Sequence, residues 1–416
     1  MTSISRAEPD MAQARPAGIL SGITVLDLTR VVAGPMCTQM LADMGATVLK
    51  IEKPGEGDDT RRMAPFLRDA EGRSTDESAT FIANNRGKQS LTIDISQKEG
   101  ADLVRRLAAR SDVMIENYKA GGLRKYGLDE AAIRHVRPDI IYCSLTGFGA
   151  DGPYAPRPAY DFIMQGMAGL MTTCGAVDGP PTRTGIPLTD IITGLNCAVA
   201  LLGALIHRMK TGEGQFIDCA MLDAAVAANG HFAIWHLLDG TIPSPQGNSN
   251  PIAAPADVFS CADGHLIIAA GNNKQFEALA RVLGHPEWTE DPRFSTNASR
   301  VANRAALDTL IAGSAGGWPK AKLVCALEAA GIPGGPINDI ANVFSDPHVR
   351  HRGLEMRLPH GRGMEVPSLR SPLRFSRSPV SYAPPPMLGE HTEHALAHIL
   401  GLSPDDLAAL RGRGVI

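Results

Sequence analysis

From Ile23 onward, apolar and polar positions fall into short alternating blocks. ITVLDL at 23–28 has the aliphatic, β-branched content of a buried strand, and TVLKIEK at 47–53 repeats it. Between them GPMCTQMLADMG, with Pro35 in its first turn, is spaced as a helix. LTIDI at 91–95 predicts another strand, and the helix-patterned SQKEGADLVRRLAAR then opens with Ser96 and Glu99 in capping-box spacing. DVMIEN at 112–117 and DIIYCSLTGFG at 139–149 continue the series. Strands alternating with helices predict a mostly parallel sheet with helices on both faces, an α/β fold.

The longest apolar run, Ile191 to Ile206, follows DGPPTRTGIPLTD directly and breaks into His207, Arg208 and Lys210, which predicts a buried helix. Thr189 and Asp190 are residue types that cap a helix start, where negative charge is favoured, so Asp190 is expected to be ionised at neutral pH. It is either a cap alone or a carboxylate nucleophile steadied by the same N–H groups.

After Lys210 the pattern changes. GQFIDCAMLDAAVAANGHFAIWHLL predicts a strand and a long helix, TIPSPQGNSNPIAAP a loop, and DVFSCADGHLIIAAG a hairpin turning at Asp263-Gly264. Helical segments follow around 273–284, 302–313 and 318–330; GIPGGPIN at 331–338 links back. The remainder predicts hairpin-like strands in GLEMRLPHGRGMEVPSL and LRFS, and two terminal helices. The expected organisation is a disordered leader at 1–18, a large Rossmann-like domain over 19–210 and 331–416, and a linker with a smaller α+β domain over 211–330. The first strand-to-helix turn has Gly34 but no G-x-G-x-x-G, which argues against NAD.

With 44% hydrophobic and 20% charged residues and a formal charge of −4, the composition is that of an ordinary globular protein, and no basic tract points to nucleic acid or an anionic membrane. Seven scattered cysteines without a CxxC pair suit reduced thiols in a cytoplasm. The apolar run is shorter than the roughly 20 residues of a membrane span and contains Asn196, and residues 1–18 lack the apolar core of a secretory signal. The 12 histidines show no metal-ligand spacing, and neither a GxSxG elbow nor a P-loop is present. Three stretches could carry chemistry: RVVAGP with KIEKPGEGDDTRR, where a strand end and several cations could receive a phosphorylated ligand; ENYKAGGLRKYG at 116–127, whose tyrosines could stack on a base; and RPAYD at 157–161 followed by Asp190. The first is equally readable as a solvated basic loop, the second is weak alone, and chance makes triples like the third common.

Together these stretches resemble the family III CoA-transferases, the group that contains formyl-CoA:oxalate transferase and the carnitine CoA-transferase. RVVAGPMCTQMLADMGATVLKIEKPGEGD, NRGKQSLTIDI, ADLVRRLAARSDVMIENY, TGEGQFIDCAMLDA, GIPGGPIN and PPPMLGEHTEHAL look like its segments in its order. The resemblance implies that Asp190 is the nucleophile of an aspartyl-acyl anhydride and aspartyl-CoA pathway, with Asp161 and Tyr160 beside it, and with coenzyme A or acyl-CoA as substrate and no prosthetic group or metal. It places CoA contacts at Val31, Ala33, Lys53, Ile93, Asn117, Tyr118, Lys125 and Tyr126, and a substrate loop at Gly247 and Asn248 in QGNSNP, which departs from the family's run of glycines. It also implies an interlocked homodimer.

Val32 stands where the oxalate enzymes have glutamine, which weighs against oxalate, whereas AGNNKQF at 270–276 and PPPMLGEHT at 384–392 look most like the branch using succinyl-CoA and dicarboxylic acids. The unreacted carboxylate of such an acid needs a cation, for which Arg62, Arg157 and Arg183 are candidates. The competing readings are a 2-methylacyl-CoA racemase and a non-catalytic CoA-binding protein. Racemases of this fold have histidine where Tyr160 stands, and a phenol of ordinary pKa near 10 is a poor proton acceptor at pH 7.

Overall fold

The computed structural model describes residues 18–69, 71–361 and 363–416; the expected leader, Gly18 apart, lies outside them. The chain opens with β1 (Thr24–Leu28), α1 (Ala33–Asp43) and β2 (Thr47–Glu52). A short hairpin, β3 (Phe66–Arg68) and β4 (Ser74–Ser78), precedes α2 (Ala79–Asn85), β5 (Gln89–Thr92), α3 (Lys98–Ala108), β6 (Val113–Glu116), α4 (Glu130–Val136) and β7 (Ile141–Thr146). Then come α5 (Asp161–Met167), α6 (Leu188–Thr211), β8 (Phe216–Ala220) and α7 (Met221–Ala228).

The six long-range strands form one parallel sheet in the order β5-β2-β1-β6-β7-β8. Its period of two sorts the apolar side chains onto two faces. Leu26, Leu28, Leu49 and Leu91 pack with Leu103, Val104 and Leu107 of α3 on one; Val25, Val48, Ile115 and Cys143 pack with Cys37 and Leu41 of α1 and Cys197, Leu201 and Leu205 of α6 on the other. The strand order reverses between β1 and β6. That switch point, at the carboxyl ends of the two strands, is where open α/β sheets leave a crevice for a ligand.

Helix α6 runs through 24 residues, longer than the apolar run alone, and is long and apolar enough to cross a membrane; Cys197, Ala198, Leu201, Ala204 and Leu205 form a buried stripe in the sheet's core. At its start it lies so close on α1 that a Cβ on Gly194 would fall 2.6 Å from the Ala33 carbonyl oxygen.

Two compact units are present, one of residues up to Ala168 with Gly185–Ala233 and Arg352–Ile416, the other Gly169–Thr184 with Ile234–His351. The segment after Lys210 therefore returns to the large sheet as β8 before the chain departs. The long helix expected within GQFIDCAMLDAAVAANGHFAIWHLL is interrupted at Gly230, φ +50°, and resumes as α8 (His231–Asp239). The second unit is built on β9 (Ala256–Cys261) and β10 (Gly264–Ala269), to which the expected link GIPGGPIN adds a third strand, β11 (Gly334–Pro336). Helices α9 (Asn273–Val282), α10 (Asn297–Ala302), α11 (Arg304–Ala315) and α12 (Lys320–Ala329) enclose its own core around Phe276, Phe294 and Ile311.

The predicted hairpin near the C-terminus forms as Glu355–Pro359 with Glu365–Leu369, and the terminal helices as Thr392–Leu400 and Pro404–Gly412, but LRFS is not a strand. The capping box at Ser96 does not form either. Asp94 accepts from the Ser96 N–H at 2.9 Å, α3 starts two residues later, and Glu99 pairs with Arg413.

Candidate active site

The floor of the site is set by charges buried inside strands. Asp27 of β1, wholly buried, accepts from the Thr29 N–H (2.8 Å), the Thr29 and Thr38 hydroxyls (both 2.6 Å) and Lys88 Nζ (3.2 Å). Lys50 of β2, also buried, donates to the Thr29 carbonyl (2.8 Å) and to Asp58 (2.9 Å). The nearby Lys50 ammonium holds the Asp58 carboxyl down at about 2 against its burial. Asp58 in turn accepts from the Val31 N–H at 3.3 Å.

Asn117, just past β6, takes the Arg30 N–H at 2.9 Å and donates to the Arg30 carbonyl at 2.8 Å, tying the ends of β1 and β6 together. Held this way, Val31 has φ +72°, the only positive φ of a non-glycine among the described residues. For a β-branched side chain that is a strained conformation.

The nucleophile candidate stands at the start of α6, where the structure corrects the sequence reading. The cap is not Asp190 but Asp161, 29 residues earlier at the start of α5. One of its oxygens accepts from the Thr189 N–H (2.7 Å), the Thr189 hydroxyl (2.6 Å) and, more distantly, the Asp190 N–H (3.4 Å), while the other takes Gln165 Nε2 (2.8 Å). Asp190, in the helix's first turn, accepts no hydrogen bond among the described residues. Burial and the neighbouring Asp161 carboxylate push its carboxyl up to about 7, so it is only about half ionised at neutral pH and not fully charged as a cap would be.

A cleft of about 630 Å³ runs from this point across the switch crevice, lined by Val31, Val32, Ala33, Asn117, Tyr118, Lys125, Tyr126, Arg157, Tyr160 and Asp190 among others. A second hollow of about 310 Å³ adjoins it, sharing Arg30, Asp59, Tyr118 and Tyr126 and adding Lys53, Ile93 and Asp94. All eight residues expected to meet CoA thus line one hollow or the other. Lys53 is exposed and paired with Glu56, and Lys125 lies 4.7 Å from the Tyr126 ring centroid. Gly247 and Asn248 are in the second unit, where the Gly247 N–H donates to the Gly175 carbonyl; neither lines these hollows.

Sequence reasoning gave no role of its own to Arg30 of RVVAGP, which pairs with Asp59 at 3.2 Å and stacks 5.2 Å from the Tyr118 ring centroid. It also passed over Glu116, which accepts from the Ser144 hydroxyl (2.5 Å) and the Tyr118 N–H (2.7 Å) and is pushed up to about 7 by burial. The available signal was charge inside three apolar strands: Asp27 in β1, Lys50 and Glu52 in β2, and Glu116 in β6. Among the described residues no three His, Cys, Asp or Glu side chains group as metal ligands.

The family model for CoA-transferase family III matches residues 20–392. A succinate–glutarate CoA-transferase of Agrobacterium fabrum is 44% identical over 94% of this chain and 97% of its own length, and the human succinyl-CoA:glutarate CoA-transferase is 37% identical over 99% and 92%. In structure, a CAIB/BAIF family protein of Brucella suis superposes with a TM-score of 0.83 at 44% identity, covering 92% of this chain and all of that one. With its parallel sheet, its switch-point cleft and these relatives, the chain belongs to CoA-transferase family III and is an enzyme of CoA transfer.

Proposed function

We propose that the enzyme moves CoA from succinyl-CoA to a dicarboxylic acid of the glutarate type, with Asp190 as the covalent carrier. The observation that carries this reading is a carboxylate at the head of α6 that accepts no hydrogen bond among the described residues and opens into a cleft whose lining includes four cations, three tyrosines and the backbone at strand ends. The Agrobacterium and human relatives named for succinate or succinyl-CoA and glutarate support the substrate pair.

In the proposed course, ionised Asp190 attacks the succinyl-CoA carbonyl and expels CoA thiolate, giving an aspartyl–succinyl anhydride. The thiolate then attacks the aspartyl carbonyl, releasing succinate and leaving aspartyl-CoA. The acceptor carboxylate attacks that thioester, expelling the thiolate and forming a second anhydride. Attack of the thiolate on the acceptor's acyl carbon yields the new acyl-CoA and restores Asp190. Burial that raises the Asp190 carboxyl also makes its anion less solvated and more reactive. Val31, Ala33, Lys53, Ile93, Asn117, Tyr118, Lys125 and Tyr126 would hold the CoA, Asp161 and Tyr160 would flank the nucleophile, and Gly247 and Asn248 would shield the anhydride from water. CoA thioesters are then the substrates, and the chemistry needs neither prosthetic group nor metal.

We place the enzyme in the cytoplasm as an interlocked homodimer. Support for a second copy comes from the outer side of α6, where Leu195, Val199, Ile206 and Met209 are exposed, Met209 by 83%. The test is to offer succinyl-CoA with a panel of carboxylic acids, follow new acyl-CoA by mass spectrometry, and trap the enzyme with hydroxylamine during turnover. New dicarboxyl-CoA and a hydroxamate at Asp190 are expected. Exchange of the 2-proton of a branched acyl-CoA with deuterated water, without CoA transfer, would instead establish the racemase.

A further inference from the structure

Transfer between two dicarboxylic acids, the reading on which this inference rests, leaves one carboxylate of each acid unreacted inside the cleft, where it needs a cation. The cations lining the larger cleft are Arg30, Lys119, Lys125 and Arg157. Arg30 is engaged by Asp59 and Tyr118. Lys119 and Lys125 belong to the segment after β6, whose Tyr118 and Tyr126 also line the second hollow.

Arg157 differs in place and in partners. It sits on the stretch leading into Tyr160 and Asp161, which Asp161 fastens to the head of α6 beside Asp190. Its guanidinium carbon is 3.7 Å from the Tyr154 ring centroid, and Tyr154 stands edge-on to Phe148 at 5.6 Å, so the cation is held against an aromatic pair. The backbone beneath is equally constrained. The Arg157 N–H donates to the Tyr154 carbonyl at 2.9 Å, and Ala159 lies so tightly on the end of β7 that a Cβ on Gly147 would fall 2.0 Å from the Ala159 Cβ. Among the described residues Arg157 pairs with no carboxylate. Of the other arginines considered, Arg62 bonds to Asp59 and to the Glu56 carbonyl and lines neither hollow, and Arg183 belongs to the second unit.

The geometry points to Arg157 as the specificity-determining residue that receives the unreacted carboxylate of donor and acceptor in turn. With one face against Tyr154, the guanidinium keeps its edge N–H groups for a two-point grip on a carboxylate, which a lysine cannot reproduce.

The experiment measures kcat/KM for glutarate and for pentanoate as acceptors with succinyl-CoA as donor, in the full-length enzyme, its Arg157→Met and Arg157→Lys variants, and Tyr154→Leu. Loss of a charged, two-point contact predicts that Arg157→Met lowers the glutarate-to-pentanoate ratio about 30- to 100-fold, expressed mainly in KM for glutarate. Arg157→Lys should fall between, and Tyr154→Leu should move the ratio the same way by less. A ratio within about threefold of wild type in Arg157→Met, or in Arg157→Lys and Tyr154→Leu together should the methionine variant not fold, overturns the assignment while leaving CoA transfer to dicarboxylates standing. If the wild-type enzyme transfers to neither acid, the parent reading falls, and this one with it.

Discussion

Replacing Asp190 by asparagine should stabilise the protein while disabling it, and should do so only above a definite pH. Its carboxyl lies at about 7 in the folded chain against an ordinary value of 3.8. The folded state therefore keeps a proton that the unfolded state has given up between those two values, and wild-type stability falls as pH rises through that window. A difference of roughly 3 units at about 1.36 kcal/mol each sets an upper bound of about 4 kcal/mol, reached above pH 7. Because solvent still reaches part of the carboxyl, about 2 kcal/mol is the realistic figure. At pH 4 the difference should nearly vanish.

Asparagine has the same shape and does not titrate. The wild-type and Asp190→Asn proteins would be unfolded thermally and in urea at equal protomer concentration from pH 4 to pH 8.5. At about 2–4 °C per kcal/mol the variant's Tm advantage should grow by several degrees across the range. A difference that stays flat with pH, or an asparagine variant less stable than wild type at pH 8, refutes the claim that burial and Asp161 raise this carboxyl. If Asp190 is the nucleophile proposed above, only its anion attacks, and the same ionisation should appear as an acid limb near pH 7 in wild-type kcat/KM.

Other consequences are open to measurement. Asp161→Asn keeps an acceptor for the Thr189 N–H but removes the neighbouring charge, so the acid limb should move to lower pH; an unmoved limb would separate the two carboxylates electrostatically. Lys50→Met leaves Asp58 buried without its cation and should lower stability by about 3–5 kcal/mol in denaturant titration. Gly194→Ala must push α6 off Ala33, at about 1–3 kcal/mol, with KM for the CoA substrate rising because Ala33 lines the cleft. Asp190→Ala should lower transfer at least about a thousandfold and abolish the hydroxamate.

The parallel sheet was legible because β1, β2, β6 and β7 are short aliphatic runs bounded by turns, and the eight residues that line the two hollows were picked out by segments that resemble a known family. What escaped the sequence had physical causes. The β4 strand, STDES, has no apolar alternation to betray it, and β11 is Gly-Gly-Pro, a strand only because β10 offers an edge. The sequence left Asp190 open between cap and nucleophile because local spacing cannot reveal a better placed carboxylate on another helix; Asp161 supplies the cap, and the consequence at Asp190 is a carboxyl only about half ionised at neutral pH. Capping at Ser96 failed for the same reason, since Asp94 reached its N–H first.

Val31 bends against its own side-chain preference at a cost on the order of 1–3 kcal/mol, and the stitches that keep it bent come from β2, the loop after it and the end of β6: Asp58 braced by Lys50, Lys50 again on the Thr29 carbonyl, and Asn117 on Arg30. If CoA binds here as proposed, its recognition at this wall inherits the rigidity of the strands that meet there, and the incoming nucleotide has little ordering left to impose. Changes that loosen any one stitch, however distant from the reacting atoms, should register first as slackened substrate grip.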